Sequence, residues 1–293
     1  MTTVTTLEAR PSLVPIFAKA ALRRGSRNAA SRSVPDKALR LVGHRVDRGE
    51  LTAYQRVCGF DVSDVLPHTF PHVLGFPLQA LTMSAPDFPM PMMGLVHVAN
   101  TITVHRVLTA DDALDLTVRA ENLQPHSKGR TVDLVTEVDV DGERVWEGHS
   151  TYLARGKSDP STASPPTEVA PPAMPTGFPV AQWRLPSGLG REYAGVSGDV
   201  NPIHMSSITA KAMGFRSPIA HGMWSYARVL AALGTAAQGA VTSQVWFRKP
   251  IFLASTVELV LDRSREPLVA GLRSSRNTAI EHLVLTVGRD SNR

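Results

Sequence analysis

The chain has 293 residues, of which 43% are hydrophobic and 19% are charged, and its formal net charge is +5. These values are typical of a soluble globular protein with room for two domains of ordinary size. The positive charge would suit nucleic acid or a ligand that carries phosphates. Because the sequence has no Cys/His zinc spacing and no dense basic run interleaved with aromatic residues, we expect no nucleic-acid partner.

Cysteine usage and hydropathy give an expectation for the compartment. Cys58 is the single cysteine, so an intramolecular disulfide is impossible and nothing indicates an oxidising environment. The apolar stretches all fall short of the roughly 20 residues that cross a bilayer. We therefore expect a cytoplasmic protein that has no membrane partner.

The first 34 residues form a basic segment rich in serine and alanine. This composition has some features of a transit peptide, but the segment lacks the apolar core of a secretion signal. We interpret residues 1–34 as a loosely attached or short helical segment in front of the first domain.

Residues 35–157 form the predicted first domain. A largely apolar, more helical stretch at 66–83 comes first. Apolar and polar residues then alternate over 97–108, 113–124, 131–140 and 144–154, which predicts half-buried antiparallel strands. Asp141 and Gly142, between the last two strands, are a strong hairpin signal.

Residues 158–179 are dense in proline, serine and threonine, which predicts a linker with no helix or strand. Residues 180–293 follow as a second domain. Helices are predicted at 206–213, after the N-cap Ser206, and at 222–233, before Gly234. Strands are predicted at 240–252, 255–264, 268–275 and 279–289.

The two domains look like copies of each other. Y-x-x-V-C-G at 54–59 matches Y-x-x-V-S-G at 193–198, and Pro71 and Gly75 have the same spacing as Pro218 and Gly222. Each domain reads as helix first and then a meander of strands. The simplest way to bury both faces is an α+β fold in which an antiparallel sheet wraps around one apolar helix.

The residues that carry chemistry lie at 193–223. Asp199 and His204 are five residues apart, and Pro202 keeps Asn201 extended, so the segment between them is a turn that can direct both side chains to one point. Gly222 opens the apolar helix, where free backbone N–H groups can hold a developing negative charge. An acid/base pair beside such an oxyanion hole predicts chemistry next to a carbonyl group.

The motif Y-x-x-x-S-G-D-x-N-P-I-H, followed by A-x-x-x-G-F-x-x-P-I-A-H-G-M, resembles the signature of the MaoC-like (R)-specific enoyl-CoA hydratases and 3-hydroxyacyl-thioester dehydratases. The resemblance implies two tandem hot-dog folds and a hydro-lyase that needs no metal or redox cofactor. It implies that His204 and Asp199 hold the catalytic water, with His204 as base and Asp199 as proton donor, and that the Gly222 N–H polarises the thioester carbonyl. The implied substrate-binding residues are Asn201, Ser197, His221, Pro218 and Met223.

The first domain departs from this pattern. Phe60 stands where the second domain has Asp199, Val65 is opposite His204, and Leu74 is opposite His221. Because an apolar set cannot transfer protons, we interpret residues 35–157 as a degenerate hot-dog domain. By the resemblance, this domain makes room for a long acyl tail.

Other interpretations stay open at this stage. Asp199 can be an ordinary turn residue, Tyr193 a packing residue, and His221 a group that only holds the loop. The remaining histidines are scattered, which indicates surface or hydrogen-bonded side chains. A hot-dog thioesterase and a non-catalytic acyl-thioester-binding subunit are the alternative functions.

The carrier and the assembly are also open. The substrate is an acyl-CoA or an acyl-carrier-protein thioester, and the protein is a monomer of two halves or a homodimer. The candidates for contact with the carrier's phosphate are Lys128, Gly129, Arg130, Arg216, Arg248 and Lys249.

Overall fold

The computed structural model describes residues 2–22, 33–156 and 170–289. The strands are β1 (Thr3–Leu7), β2 (Lys37–Arg45), β3 (Leu95–Val104), β4 (Ala113–His126), β5 (Gly129–Val140), β6 (Glu143–Arg155), β7 (Ala181–Leu185), β8 (Thr242–Phe247), β9 (Ser255–Asp262), β10 (Leu268–Ser274) and β11 (Glu281–Gly288). The helices are α1 (Leu13–Leu22), α2 (Arg48–Cys58), α3 (Phe70–Ser84), α4 (Leu189–Ser197), α5 (Pro202–Met205), α6 (Ser207–Ala212) and α7 (Gly222–Leu233).

All eleven strands belong to one sheet, in the order β1-β2-β4-β5-β6-β3-β8-β11-β10-β9-β7. Within it, β2-β4-β5-β6-β3 of the first half has the same order as β7-β9-β10-β11-β8 of the second half. The equivalent strands β3 and β8 pair antiparallel, from Ala99 opposite Trp246 to Thr103 opposite Thr242. The α+β prediction of two hot-dog halves is confirmed, and the halves share a continuous sheet.

The sequence repeat corresponds to a repeated structure. The Y-x-x-V-C-G motif ends α2 and the Y-x-x-V-S-G motif ends α4. Both helices stop at a glycine in the left-handed region, Gly59 with φ 79° and Gly198 with φ 73°. Because residues with a Cβ rarely adopt this conformation, glycine there ends the helix and turns the chain sharply.

The long apolar helices α3 and α7 pack inside the curved sheet. Nearly every side chain of α3 is buried, which explains why its sequence is apolar on all sides. Helix α7 begins at Gly222 and ends at Leu233, as predicted. Tyr226 of α7 is fully buried and satisfies its hydroxyl with Ser243 on β8. In the part of the chain described here, no helix is long and apolar enough to cross a membrane.

Several strand predictions need correction. A strand precedes the helices in each half, β2 in the first and β7 in the second, whereas the sequence pattern indicated that each half begins with a helix. The strand predicted at 240–252 ends at Phe247. Pro250 lacks the N–H that a strand ladder needs, so the pairing cannot continue through it.

The N-terminal segment is firmly attached as far as the structure describes it. Strand β1 pairs in parallel with β2, and α1 buries Leu13, Ile16 and Phe17 in the core. The expectation of a loose segment is therefore wrong for residues 3–22, while that of a short helix is confirmed. Residues 23–32 lie outside the described residues.

The described part of the linker, 170–179, has no helix or strand, as expected, and it lies against the second half. Arg248 donates to the carbonyl oxygen of Pro172 at 2.9 Å, and Arg273 to that of Gly177 at 3.1 Å. Gly271 on β10 leaves room for Met174, since any Cβ there would overlap this side chain. The rest of the predicted linker lies outside the described residues.

Candidate active site

The turn after α4 places Asp199 and is locked by its own polar side chains. The Ser197 hydroxyl donates to the Tyr193 carbonyl at 2.8 Å and accepts from the Asp199 N–H at 3.2 Å. One carboxylate oxygen of Asp199 accepts from the Asn201 N–H at 3.1 Å. The Asn201 side chain caps α5 by accepting from the Ile203 N–H. The turn chemistry of these residues therefore holds the carboxylate in place.

His204, on the short helix α5, is oriented by one hydrogen bond. Its Nδ1 lies 2.7 Å from the Ile219 carbonyl oxygen. Since a carbonyl only accepts, Nδ1 carries the proton and Nε2 keeps a free lone pair. Burial and, to a smaller extent, the neighbouring His221 lower the pKa of His204 to about 3. The ring is therefore neutral at physiological pH and can accept a proton.

Asp199 has the opposite shift. Burial raises the pKa of its carboxyl above the usual range, and the nearby His204 opposes this rise. Its side chain is 25% exposed, so it reaches the pocket surface. A carboxyl group of raised pKa can donate a proton, and a neutral imidazole beside it can accept one. The two groups can therefore take the acid and the base role.

His221 holds the turn that carries Asp199. Its Nε2 lies 3.0 Å from the backbone oxygen of Asp199, to which it donates, and its ring stacks on that of His204 with centroids 3.6 Å apart. Burial lowers the pKa of His221 to about 4, so this ring is also neutral. The Tyr193 ring packs on its other side, at 4.8 Å. These contacts support the interpretation of His221 as a loop-holding residue and of Tyr193 as a packing residue.

Helix α7 begins at Gly222, directly after His221, so the Gly222 N–H has no partner within the helix. The Phe247 ring packs closely against this glycine, because a Cβ at 222 would lie 3.1 Å from the nearest ring carbon. Gly222 lines the same cavity as Asp199 and His204. Its N–H is placed to bind an oxygen that gains negative charge.

The cavity measures about 230 Å³ and is built from both halves of the chain. All eight site residues proposed from the sequence lie at or beside it, and seven of them line it, the exception being Pro218. Pro218 instead accepts from the Leu253 N–H at 2.8 Å, just before the isolated bridge between Ile219 and Phe252. Helix α3 of the first half supplies the apolar wall residues Val73, Phe76 and Met83, and also His72.

The wall residues that were not identified from the sequence include His72, His97 and Tyr152. The His97 ring stacks on Tyr152 at 4.6 Å and faces His72 at 6.0 Å. The Tyr152 hydroxyl donates to Gln79 at 3.1 Å. Burial lowers the pKa of His72 to about 4 and that of His97 to about 3. His72 and His97 are hydrogen-bonded as expected, to Ser150 at 3.5 Å and to Asn100 at 3.4 Å, and both line the cavity. Their place at the cavity could not be predicted, because no local motif joins positions on α3, β3 and β6.

Basic side chains stand at the exposed edge of the cavity. Of the proposed phosphate contacts, Arg248 and Lys249 line it, and Arg155 joins them. Arg248 also pairs with Glu281. Arg216 instead lies over the Phe252 ring, 4.1 Å from its centroid, and Lys128, Gly129 and Arg130 are not in the lining.

Asp199, His204 and His221 also form the one group, among the described residues, with a metal-ligand arrangement, their candidate atoms lying within 4.8 Å of one another. Two ring nitrogens of this group already face backbone carbonyls. That leaves one nitrogen per ring and a carboxylate to hold an ion or a water molecule.

The first half has a different cavity at the matching place. Phe60 and Val65, the counterparts of Asp199 and His204, line a cavity of about 430 Å³. Gln55 holds that loop by donating to the backbone oxygens of Ser63 and Val65, at 2.9 and 3.2 Å. Leu74, the counterpart of His221, is buried. The first half therefore has no acid/base pair equivalent to Asp199 and His204 at these positions.

Known proteins resemble this chain in sequence and in fold. The family described as "MaoC like domain" matches residues 186–282, which contain the dyad of Asp199 and His204. 3-Hydroxyacyl-thioester dehydratase X of Mycobacterium tuberculosis is 36% identical over 226 residues, 77% of this chain and 80% of the relative. The peroxisomal enoyl-CoA hydratase 2 of Arabidopsis thaliana is 29% identical over 191 residues, 61% of each chain. The crystal structure of HtdX of M. tuberculosis superposes with a TM-score of 0.75 and 34% identity, covering 86% of this chain and 99% of that one.

Proposed function

Because this chain belongs to the family of MaoC-like 3-hydroxyacyl-thioester dehydratases, we propose that it catalyses the (R)-specific hydration of trans-2-enoyl thioesters and the reverse dehydration. The enzyme class is that of a hydro-lyase. One observation carries the proposal: a neutral His204 with a free Nε2, a carboxyl of raised pKa on Asp199 and the N–H of Gly222 meet in one cavity.

In the hydration direction, His204 and Asp199 act as a pair on one water molecule. The Nε2 of His204 takes a proton from the water as its oxygen bonds to C3 of the substrate. Asp199, in its protonated form, gives a proton to C2 on the same face, so the net addition is H and OH. The pair is restored when the proton passes from His204 to Asp199.

The Gly222 N–H stabilises the intermediate charge. As water adds to C3, electron density moves onto the thioester oxygen, which becomes enolate-like. A backbone N–H at a helix N-terminus stabilises such an oxygen without reorganising. A Cβ at 222 would lie 3.1 Å from the Phe247 ring, so a side chain at this position would disturb the start of α7.

The first half supplies the wall for the acyl chain. Helix α3 places Val73, Phe76 and Met83 along the cavity that contains the dyad. An enoyl thioester bound at Gly222 would direct its tail along these residues, away from water. This arrangement gives the degenerate half a role that needs no acid or base.

The carrier is proposed to be coenzyme A or an acyl carrier protein. Arg155 and Lys249 at the exposed edge of the cavity are suited to a phosphate of either carrier. Because one chain contains both halves, we expect it to work as a monomer or as a homodimer with two independent sites. Its proposed place is fatty-acid-type metabolism in the cytoplasm.

The test is a spectrophotometric assay on purified protein. Hydration removes the absorbance of the conjugated enoyl thioester, and the product is identified as the (R)-3-hydroxyacyl thioester by chiral chromatography. A thiol reagent run in parallel measures carrier release. Loss of the enoyl band without free thiol is the expected result. Thiol release would instead assign a thioesterase, and no change with either carrier would contradict catalysis.

A further inference from the structure

The N-terminal segment is fixed to the body of the protein at two points. Strand β1 adds to the edge of the sheet beside β2. Between β1 and α1, the Arg10 guanidinium donates to both carboxylate oxygens of Glu50 on α2, at 2.8 and 2.9 Å. The chain that leads into α1 is therefore attached to the sheet through β1 and to α2 through the Arg10–Glu50 ion pair.

One face of α1 is directed at the active site. Leu13, Ile16 and Phe17 have the three- and four-residue spacing of a single helix face, and each is less than 10% exposed. Val14, on the opposite face, is 67% exposed. Helix α1 packs against α3, which is the helix that forms the acyl wall.

Two residues of that face lie at the proposed active site. The Leu13 side chain covers Gly198, since a Cβ at 198 would stand 2.6 Å from Leu13 Cδ1. Gly198 is the residue immediately before Asp199. The Phe17 ring lines the cavity itself, as do Phe76 and Met83 of α3.

We propose that Phe17 of α1 is a specificity-determining residue that limits the length of the acyl chain. The inference rests on the proposed function, because it treats the α3 side of the cavity as the acyl site. The ring occupies space that a longer chain needs, and α1 cannot move aside without exposing the buried side chains of Leu13 and Ile16. A smaller side chain at 17 lengthens the site, and a larger one shortens it.

The test compares Phe17→Ala, Phe17→Trp and the matched control Val14→Ala on a series of trans-2-enoyl-CoA substrates from four to sixteen carbons. Phe17→Ala is expected to raise the ratio of kcat/KM for the longest substrates over the shortest by roughly tenfold, the gain from burying about two more methylene groups. Phe17→Trp is expected to lower the ratio. Val14→Ala is expected to keep the wild-type profile.

Profiles parallel to wild type in both Phe17 variants would overturn the inference. If Phe17→Ala does not fold, as read by circular dichroism, Phe17→Trp decides alone. A wild type that hydrates no substrate would contradict the proposed function, and the ratio would then be read from the affinity for saturated acyl-CoA by calorimetry. Failure to bind acyl-CoA of any length would overturn both.

Discussion

Gly190 takes no part in the proposed proton transfers, but its packing is expected to fix the position of His204. It lies in the first turn of α4, against the backbone of His204. A Cβ at 190 would overlap the His204 carbonyl oxygen and lie 3.1 Å from its carbonyl carbon, so in Gly190→Ala the backbone of α5 must move. Relief of that overlap needs a shift of about 1 Å, and a misplacement of this size costs on the order of 10²-fold in rate.

The matched control is Gly195→Ala on the same helix, where a Cβ would meet nothing within 4 Å. We expect kcat/KM for enoyl-CoA hydration to fall by about 10²-fold in Gly190→Ala, with a loss of unfolding free energy of about 1–3 kcal/mol from overpacking. Gly195→Ala is expected to keep wild-type activity. A Gly190→Ala protein that is folded and as active as wild type would refute the claim that α4 sets the position of His204.

Three further predictions follow from the site. Gly222→Ala places a methyl group against the Phe247 ring and keeps the backbone N–H, so relief of the contact is expected to shift that N–H and steady-state kinetics should show a kcat lower by about 10²-fold; an unchanged kcat in the folded variant would contradict a close fit of the thioester at this position. Burial lowers the pKa of His68, His72 and His204 to about 3, 4 and 3. Below pH about 6.5 the unfolded chain therefore binds more protons at these histidines than the folded protein does. Urea denaturation should therefore show stability that is constant above that pH and falls below it by about 1.4 kcal/mol per pH unit for each histidine. Dialysis against a chelator should leave hydration unchanged, whereas loss of activity restored by zinc would assign the dyad cluster to a metal.

The features predicted correctly from the sequence are helix ends, a hairpin and a turn, each of which depends on residues that are neighbours in the chain. The start and end of α7 follow from a glycine at each boundary, Gly222 and Gly234. The hairpin between β5 and β6 follows from Asp141 and Gly142, which have φ 52° and 83°. The dyad turn was recognisable because the residues that make it, such as Asn201, are neighbours in sequence.

The residues that sequence analysis missed are those brought together by distant elements. His97 on β3 and Tyr152 on β6 meet because β3 pairs with β6, and Phe247 joins them because β3 pairs with β8 across the two halves. No spacing within either half encodes the pairing of β3 with β8. Phe17 was missed for a related reason: the basic composition of the N-terminal segment masks the short apolar face of α1.

Strands β2 and β7 were missed because each lies at or near an edge of its half. Strand β2 alternates poorly, with Gly43 inside it and a register shift between Leu41 and His44. Strand β7 spans only Ala181–Leu185 and has one neighbour, β9. In short edge strands, the sheet contacts decide the conformation more than the local pattern does.

The most direct test of the central claim is the rate of trans-2-enoyl-CoA hydration by wild type, Asp199→Ala and His204→Ala. His149→Ala serves as a control, because this histidine of β6 is 38% exposed and does not line the cavity. The account predicts a fall in kcat of about 10²-fold or more in each dyad variant, with folding retained and the control unchanged. A folded dyad variant with wild-type kcat would contradict it.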